Sequence, residues 1–462
     1  MATAITAPTY DPIPTATSLA EKYIAARQQA LTAQNTAATA TAKALTELNA
    51  ALLAFQSSLG TLTGTGKAVF AQAASFGDAT AGTATATAKA AAGSYSFFVK
   101  QLATASQVSF SGLREDSGVG GTLKVAMGGD PAFEIDLGAA AAGGSLTPRE
   151  LAAAINAAEG NGGKVTASIV TTGGTAELVL TARDTGAAGA ITLDTRGVTG
   201  TSSLAAANQD PDRARTLVKA LDAEIRVGAE NGTAITQASN TFTVIDGVSM
   251  TFTKAQASGA APVTLTVAQD KDATTANVQA FADAFNKLKT TLNKLTDAGD
   301  LANGVAGGAF AHDSGVRALN ERLTALLRPG AGDSLASYGI IATRTGTLEV
   351  DATRLLSQLA LNPGGLDTLI GATAGSSAGG VAGGIDTYLK TWSNSVDGQI
   401  KVRREATTTQ QAQLADRQVK LDQQYDSAYS RYLRQFTELQ TMQGVMNHNV
   451  SLFDALFGSD KE

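Results

Sequence analysis

The sequence contains no cysteine, and only two histidines and one tryptophan occur in its 462 residues. The absence of cysteine excludes disulfide bridges and thiolate chemistry. Aromatic residues make up only 5% of the chain, while alanine, threonine and glycine dominate it. Small side chains each bury little area, so stability has to come from many shallow contacts rather than from a few large anchors.

Residues that usually carry catalysis or bind metal are also scarce. His312 and His448 lie far apart in the sequence, and neither belongs to a cluster of metal ligands. There is no HExxH motif, nucleophile elbow or phosphate-binding loop. Glu115 and Asp116 come nearest to a pair of glycosidase carboxylates, but they are adjacent and we expect them to be exposed. We therefore predict no catalytic residue, no cofactor and no metal, and expect that the protein is not an enzyme.

Charge and hydropathy exclude two further classes of partner. The net charge of −6 and the pI near 5.2 argue against binding to nucleic acid or to an anionic membrane. The short basic run at Lys401, Arg403 and Arg404 is interpreted as a solvated helix face. No stretch reaches the ~18 consecutive apolar residues of a membrane span, so we expect no membrane insertion. The N-terminus lacks the basic and apolar regions of a cleaved signal peptide, so export would need another route.

Both terminal segments have apolar residues at spacings of three and four, and no proline follows Pro363. This spacing is typical of the a/d seam of helices that pack lengthwise. We predict that the two ends of the chain pair as a coiled stalk. Phe55 on the first helix, and Tyr432 and Phe436 on the last, are the largest apolar groups on their stripes and should carry a disproportionate share of the packing. A single globular protein with a long terminal helix pair fits the same pattern. The predicted stalk-packing residues are Leu45, Leu48, Leu52, Phe55, Leu59, Leu421, Tyr425, Tyr432, Phe436 and Leu439.

The interior is rich in glycine and has strand patterning. A hairpin with a turn at Gly128-Gly129 is followed by Thr147-Pro148-Arg149-Glu150, which predicts a capping box with proline at the first helical position. A second hairpin around Gly173-Gly174 completes a ββαββ unit. Further on, Asp351 is the expected N-cap of a helix that ends at Asn362-Pro363.

These patterns predict an α+β multi-domain protein in which mostly-β domains are inserted between terminal helices that form a stalk. Leu452, Phe453, Leu456 and Phe457 form a last apolar patch, which we expect to dock on a partner. The domain map has a mobile N-terminal leader at 1–16, an N-terminal stalk helix at 17–68, a β-rich middle domain at 69–117 and 199–271, an inserted ββαββ distal domain at 118–198, a helical part of the stalk domain at 272–370, a Gly-rich linker at 371–384, C-terminal coiled-coil helices at 385–447 and a C-terminal tail at 448–462.

Several stretches carry motifs in a fixed order along the chain. They include the strand with Gly93, Tyr95, Val99, Leu102 and Ala103, the segment LTPRELAAAINAA, the hairpin SNTFTVIDGVSMTF, the helix FADAFNKLKTTLNKLT, and the run with Gly339, Ile340, Gly346, Leu348 and Asp351. Together they resemble the flagellar filament cap family, also called hook-associated protein 2. The chain departs from the family in having Phe285 where Tyr is frequent, and in lacking the usual Gly-Leu-Asp opening.

The resemblance implies a structural cap at the distal tip of the bacterial flagellar filament, where exported flagellin folds and inserts during elongation. It implies a homo-oligomeric ring of five or six subunits, exported by the flagellar type III apparatus. The implied partners are flagellin, the hook–filament junction protein and an export chaperone at the C-terminal segment. A surface or tip adhesin, or a flagellin-like filament subunit, is the alternative. Copy number separates the two, because a cap is present in a handful of copies.

Overall fold

The computed structural model describes residues 11–141, 144–172, 175–328, 334–374 and 379–457. It divides into two compact units, the first formed by the chain up to Val69 and from Thr275 onward, the second by Phe70–Thr274. The α+β multi-domain class is confirmed, with long helices at both ends and strands between them. The helices are α1 (Pro12–Thr63), α2 (Leu137–Ala140), α3 (Pro148–Ala157), α4 (Ser203–Asn208), α5 (Lys271–Thr296), α6 (Ser314–Leu326), α7 (Ala352–Leu361), α8 (Gly365–Ile370), α9 (Gly380–Ser393) and α10 (Gln399–Phe457).

The strands lie almost entirely in the second unit, and their pairings are antiparallel. They are β1 (Gln72–Phe76), β2 (Gly82–Ala86), β3 (Gly93–Gln101), β4 (Ala105–Leu113), β5 (Asp116–Ser117), β6 (Gly120–Met127), β7 (Asp130–Asp136), β8 (Ser145–Leu146), β9 (Val165–Thr172), β10 (Thr175–Thr185), β11 (Ile191–Asp194), β12 (Val198–Thr199), β13 (Ala214–Val218), β14 (Ala223–Val227), β15 (Thr233–Gln237), β16 (Thr241–Phe242), β17 (Val248–Phe252), β18 (Val263–Gln269), β19 (Ile340–Ala342) and β20 (Leu348–Val350).

Helix α1 begins inside the segment that the sequence suggested as a mobile leader. Asp11 is its N-cap and accepts a hydrogen bond from the Ile13 amide, while Pro12 occupies the first turn. Proline is well accommodated there because the first amides of a helix have no intrahelical acceptor. The leader at 1–16 was therefore wrong for residues 12–16, and residues 1–10 lie outside the described part of the chain.

In the first unit the second half of α1 packs into a helical bundle. Phe55 meets Phe285 of α5, Glu47 forms an ion pair with Lys294 at 2.8 Å, and Gln56 donates to Asp386 of α9 at 3.3 Å. The Asp351 cap of α7 is confirmed, because its side chain accepts from the Arg354 amide. These contacts surround α1 with several helices from about Leu45 onward.

The predicted Gly-rich linker at 371–384 is helical in its last part. Helix α9 starts at Gly380, and Val381 and Ala382 are buried, so residues 380–384 form part of the packed bundle rather than a linker. The chain returns on itself just before this helix, since the Gly379 amide donates to the Ala372 carbonyl at 3.0 Å. Gly371 has a φ of 74°, and a Cβ there would lie 1.9 Å from the Gly379 carbonyl oxygen, so this approach requires glycine. Residues 375–378 lie outside the described part.

The second unit holds two hydrophobic cores. The first is built on a five-stranded sheet of order β1-β18-β3-β14-β15 and on a three-stranded sheet of order β16-β17-β2. Phe252 is at its centre, where its ring lies 5.2 Å from Phe76 and 5.8 Å from Phe242. Strands β1 and β2 consist largely of small residues such as alanine and threonine, so the sequence gives them little apolar strand pattern.

The second core is enclosed by the sheet β13-β4-β10-β9, by β6 with its neighbours β7, β11 and β12, and by α3. The predicted capping box is confirmed, since Thr147 and Glu150 exchange both hydrogen bonds. The two predicted hairpins form but belong to different sheets, and the Gly173-Gly174 turn lies outside the described part. This core uses residues from Val108 to Ala207, so the inserted region extends beyond the proposed limits of 118–198 at both ends.

Candidate assembly surfaces

The two longest helices, α1 with 52 residues and α10 with 59, run antiparallel along the first half of α1. Arg27 donates to Gln424 at 2.7 Å, and Gln34 accepts from Arg417 at 3.5 Å. As the residue number rises on α1, that of its partner falls on α10. This half of α1 therefore forms a helix pair with α10, which we call the stalk pair (residues 12–44 with 405–436).

The core of the stalk pair is thin. Its buried cluster consists of Leu31, Ala38, Leu414 and Leu421, with Ile24 partly buried against it. Much of the rest of this half of α1 is alanine and threonine, whose small side chains contribute little burial. The free energy of packing per turn is consequently lower here than in the bundle, where the apolar residues of α1 have several neighbouring helices.

A cluster of tyrosine and arginine side chains lies at the far end of the stalk pair. The Arg27 guanidinium lies 5.3 Å from the Tyr23 ring centroid, and the Arg431 guanidinium lies 5.8 Å from the same ring and 4.9 Å from Tyr432. Such cation–π contacts link the two helices without burying much area. The sequence pattern missed this cluster, because the arginines occupy positions outside the apolar seam.

The predicted stalk residues divide between two environments. Leu45, Leu48, Leu52, Phe55 and Leu59 are buried in the second half of α1, and Leu421 is buried on α10. Tyr425, Tyr432 and Phe436 are half-buried, and Leu439 is 41% exposed. Phe55 and Phe436 do not share one stretch of the seam, because α10 residues near Phe436 run beside the start of α1. Phe55 instead packs in the bundle, against Phe285 of α5.

Beyond Phe436, α10 continues as a helix through the region that the sequence suggested as a separate tail. It extends to Phe457, so residues 448–457 are helical, and 458–462 lie outside the described part. The predicted docking residues Leu452, Phe453 and Leu456 are 51%, 65% and 65% exposed, and Phe457 ends the helix. Other large apolar side chains exposed on this extension are Met442, Val445, Met446 and Val450. A contiguous apolar surface of this kind is typical of an interaction site.

The basic run at the start of α10 is more than a solvated face. Arg403 is paired with Asp313, the N-cap of α6, and its guanidinium lies 5.3 Å from the Trp392 ring centroid. Burial raises the pKa of Asp313, but the hydrogen bonds from Arg403 and from the Val316 amide outweigh it and keep that pKa below its usual value. Lys401 and Arg404 are exposed as expected, so only Arg403 corrects the interpretation.

The adjacent carboxylates are separated by their environments. Glu115 is exposed, whereas Asp116 is 7% exposed and accepts from the Ser203 amide at 2.7 Å and from its hydroxyl at 2.9 Å. The expectation that both are exposed was wrong for Asp116, because this carboxylate holds the start of α4. Its other oxygen, Oδ1, is buried without a hydrogen-bond partner among the described residues, and Asp116 lines a cavity of about 10 Å³, which is room for about one water molecule.

Neither histidine is part of a site in the described residues. His312 and His448 are both exposed. No group of three or more His, Asp or Glu side chains in the described ranges is arranged to hold a metal ion. Among those same residues, no helix has the length and hydropathy needed to cross a membrane.

Lys289 is a buried charge that the sequence analysis missed. It is 5% exposed, and its Nζ donates to the Asn320 Oδ1 and to the Thr324 hydroxyl, each at 2.7 Å. It joins α5 to α6, and none of the ion pairs among the described residues includes it. The signal was present in the sequence, since Lys289 follows Phe285 by four residues on the apolar face of α5.

Comparison with known proteins places these helices and sheets in one family. A family model described as Flagellar hook-associated protein 2 C-terminus matches residues 220–448, and the corresponding N-terminus model matches residues 15–106. The lateral flagellar hook-associated protein 2 of Vibrio parahaemolyticus is 33% identical over 383 residues, which cover 80% of this chain and 83% of that protein. The B-type flagellar hook-associated protein 2 of Pseudomonas aeruginosa is 32% identical, with 68% of each chain covered.

A solved structure supports the same fold. The crystal structure of the flagellar cap protein FliD D1-D2-D3 domains from Escherichia coli superimposes with a TM-score of 0.60 and 24% identity. The match covers 80% of this chain and 99% of that one. Sequence family and fold agree along most of the chain, which therefore belongs to the flagellar hook-associated protein 2 family.

Proposed function

We propose that this protein caps the distal end of a bacterial flagellar filament as a homo-oligomeric ring. In this proposal the stalk pair and the end of α10 dock into the filament end. The strand-rich second unit forms the plate under which exported flagellin folds and inserts. The observation that carries the proposal is the apolar surface of α10 beyond Phe436, where Met442, Met446 and Leu452 are each more than half exposed.

That surface suits assembly because a helix of this length and exposure gains stability when it joins other helices. Helices with an apolar seam pack lengthwise on helical partners, and the exposed side chains here recur at spacings close to three and four. The proposed partners are a second copy of this chain, flagellin, the hook–filament junction protein and, before export, a chaperone that covers the C-terminal segment. Export would follow the flagellar type III route, and the exported protein would be located at the extracellular tip of the filament.

The decisive experiment deletes the gene and compares filament growth with that of a complemented strain. We expect no filaments after deletion, with unpolymerised flagellin in the medium. Complementation with Leu452→Asp together with Leu456→Asp should restore secretion of this protein but not filaments. Ser451→Asp, an exposed change on the same turn, should restore both. Filaments of normal length in the deletion strain would contradict the cap proposal.

A flagellin-like subunit and a tip adhesin remain the competing functions. Immunogold labelling in the electron microscope separates the subunit from the cap, because a cap is labelled only at the tip and a subunit along the length. An adhesin would leave filament length unchanged when deleted but reduce attachment to surfaces.

A further inference from the structure

The sheet of order β13-β4-β10-β9 has two outer strands with no neighbouring strand among the described residues. Outer strands present backbone groups that can pair with another chain, and proteins usually protect such edges. One edge of this sheet is protected along half of its length. The opposite edge is short and largely uncovered.

Two asparagine side chains protect the first half of β9. Asn161 exchanges hydrogen bonds with the amide and carbonyl of Val165, each at 2.9 Å, and Asn156 does the same with Ala167, each at 2.8 Å. The amides and carbonyls of Val165 and Ala167 therefore point away from β10. Because this direction alternates along a strand, those of Ile169 and Thr171 also point away from β10, and no described residue pairs with them.

Strand β13 offers a complementary set of groups. The Arg213 carbonyl accepts from Ser111, on the side of β4, so the groups of Ala214 and Thr216 point outward. The Ala214 amide is already bonded to the Asp210 carbonyl at 2.8 Å. The uncovered groups of β13 are thus one carbonyl at Ala214 and the amide and carbonyl of Thr216.

We propose that β13 of one copy pairs antiparallel with the uncovered half of β9 of a second copy. In the matching register Thr216 lies opposite Ile169 and Ala214 lies opposite Thr171. This register makes three backbone hydrogen bonds and leaves the Asn-protected half of β9 undisturbed. The occupant is a second copy because both uncovered edges belong to one sheet and are of equal length.

Side chains on the two edges also match. Arg215 pairs with Ser109, and Val170 with Glu177, so all four lie on the sheet face turned away from the second core. In the proposed register Arg215 lies opposite Val170, which is 46% exposed. Glu177 stands one strand further, about 10 Å away at the usual strand spacing, within reach of a long arginine side chain. Neither charge has an opposite partner among the described ion pairs.

This interface joins different surfaces of identical copies, so it can repeat from subunit to subunit and close into a ring. It rests on the self-assembly proposed above and adds to it the surfaces that meet. The stalk pair takes no part in this contact. Mutations can therefore disrupt the strand interface without changing the stalk pair.

The test uses the natural absence of cysteine. In the full chain carrying Val170→Cys and Arg215→Cys, the two thiols would meet between neighbouring copies. Their backbone groups bond within their own sheets, so they form a non-hydrogen-bonded pair with Cα atoms about 4.5 Å apart, as a disulfide allows. The matched control combines Arg215→Cys with Thr181→Cys, which is on the same face but far from the interface.

After mild oxidation we expect a ladder of covalent multimers, with about tenfold more cross-linked chain in the test variant than in the control. Sedimentation velocity shows separately whether the test variant forms an oligomer. If it does, but its cross-linked fraction does not exceed that of the control, this interface is contradicted and the ring proposal is not. A chain that stays monomeric at all concentrations contradicts both proposals.

A charge exchange gives a second, independent measurement. Glu177→Arg alone should lower the fraction of oligomer at a fixed concentration, because it faces Arg215 of the neighbouring copy. Adding Arg215→Glu to the same chain should restore that fraction. If the double variant assembles no better than Glu177→Arg, the proposed register is wrong.

Discussion

The rings of Phe55 on α1 and Phe285 on α5 meet edge to face, with centroids 6.0 Å apart and an angle of 72° between their planes. Both side chains are almost fully buried, at 2% and 1% exposure. This pair fixes the second half of α1 in the bundle of the first unit. Neither ring carries a hydroxyl group, so this buried contact needs no hydrogen-bond partner.

We predict that Phe55→Ala lowers the free energy of unfolding of the first unit by about 3–5 kcal/mol, because it leaves a cavity against Phe285. Leu53→Ala is the matched control, since Leu53 lies two residues away but is 48% exposed. It should change stability by less than about 0.5 kcal/mol. Denaturant unfolding followed by far-ultraviolet circular dichroism measures both. Equal losses for the two variants would contradict this account of the bundle.

The position of Phe436 leads to a prediction about additivity. Tyr23 lies beside Arg431, and Phe55 is about 48 Å further along α1 at 1.5 Å per residue. Residues this far apart share no contacts, so the effects of Phe55→Ala and Phe436→Ala on unfolding free energy should add within about 0.5 kcal/mol. The same denaturant experiment on both single variants and the double variant tests this. A larger coupling would mean that the two rings act on one cooperative seam.

Repeating apolar spacing was enough to predict both terminal helices and several strands. The pattern of Thr147 followed three residues later by Glu150 located the capping box, because a cap depends on residues only three positions apart. Burial along the helices was harder to predict. The spacing at Leu45 and at Leu439 is the same in the sequence, yet the first is buried by several helices and the second is 41% exposed. Periodicity shows which face is apolar but not which partner covers it.

Long-range polar contacts could not be predicted from the sequence either. Asp116 meets Ser203, and Arg403 meets Asp313, across separations of 87 and 90 residues. No local pattern marks such pairs, since each residue alone resembles an ordinary surface charge. The extent of the second core was missed for a related reason, because β4 and β13 join it from outside the predicted hairpins.

Limited proteolysis should distinguish the stalk pair from the two cores of the second unit. The stalk pair has a buried cluster of only a few residues, so local opening there costs little free energy. We expect trypsin to cut first at exposed sites such as Arg417, Lys420 and Arg434. Arg183 and Arg196 are also exposed but lie in the second unit, and cleavage there should be slower. Mass spectrometry of the early fragments gives the order, and early cuts at Arg183 would contradict the prediction.

The buried Asp116 leads to a prediction about the second core. Asp116→Ala leaves the Ser203 amide without its acceptor, and an unsatisfied buried donor costs about 1–3 kcal/mol. Glu115→Ala is the control, because Glu115 is exposed and accepts a hydrogen bond from the Ser145 hydroxyl. Hydrogen exchange of the Ser203 amide should become faster in the first variant and stay unchanged in the second. Unchanged exchange in both would mean that Asp116 does not hold the start of α4.

The last prediction concerns Lys289 and pH. Burial lowers the pKa of this amine below its usual value, because the charged form is removed from water. Between the folded pKa and the unfolded value of about 10.4, the unfolded chain binds more protons than the folded chain. The contribution of Lys289 to stability therefore rises with pH across that window. Below it, the cost of burying the charge is fully present.

Lys289→Met removes this titration, so the unfolding free energy of the wild type minus that of the variant should increase as the pH rises toward 10. Lys287→Met is the matched control, since Lys287 is exposed on the same turn of α5. Its difference from the wild type should stay constant over the same range. Urea unfolding at a series of pH values provides all three curves. A Lys289→Met difference that stays flat or falls with pH would show that burial does not lower the pKa of this amine.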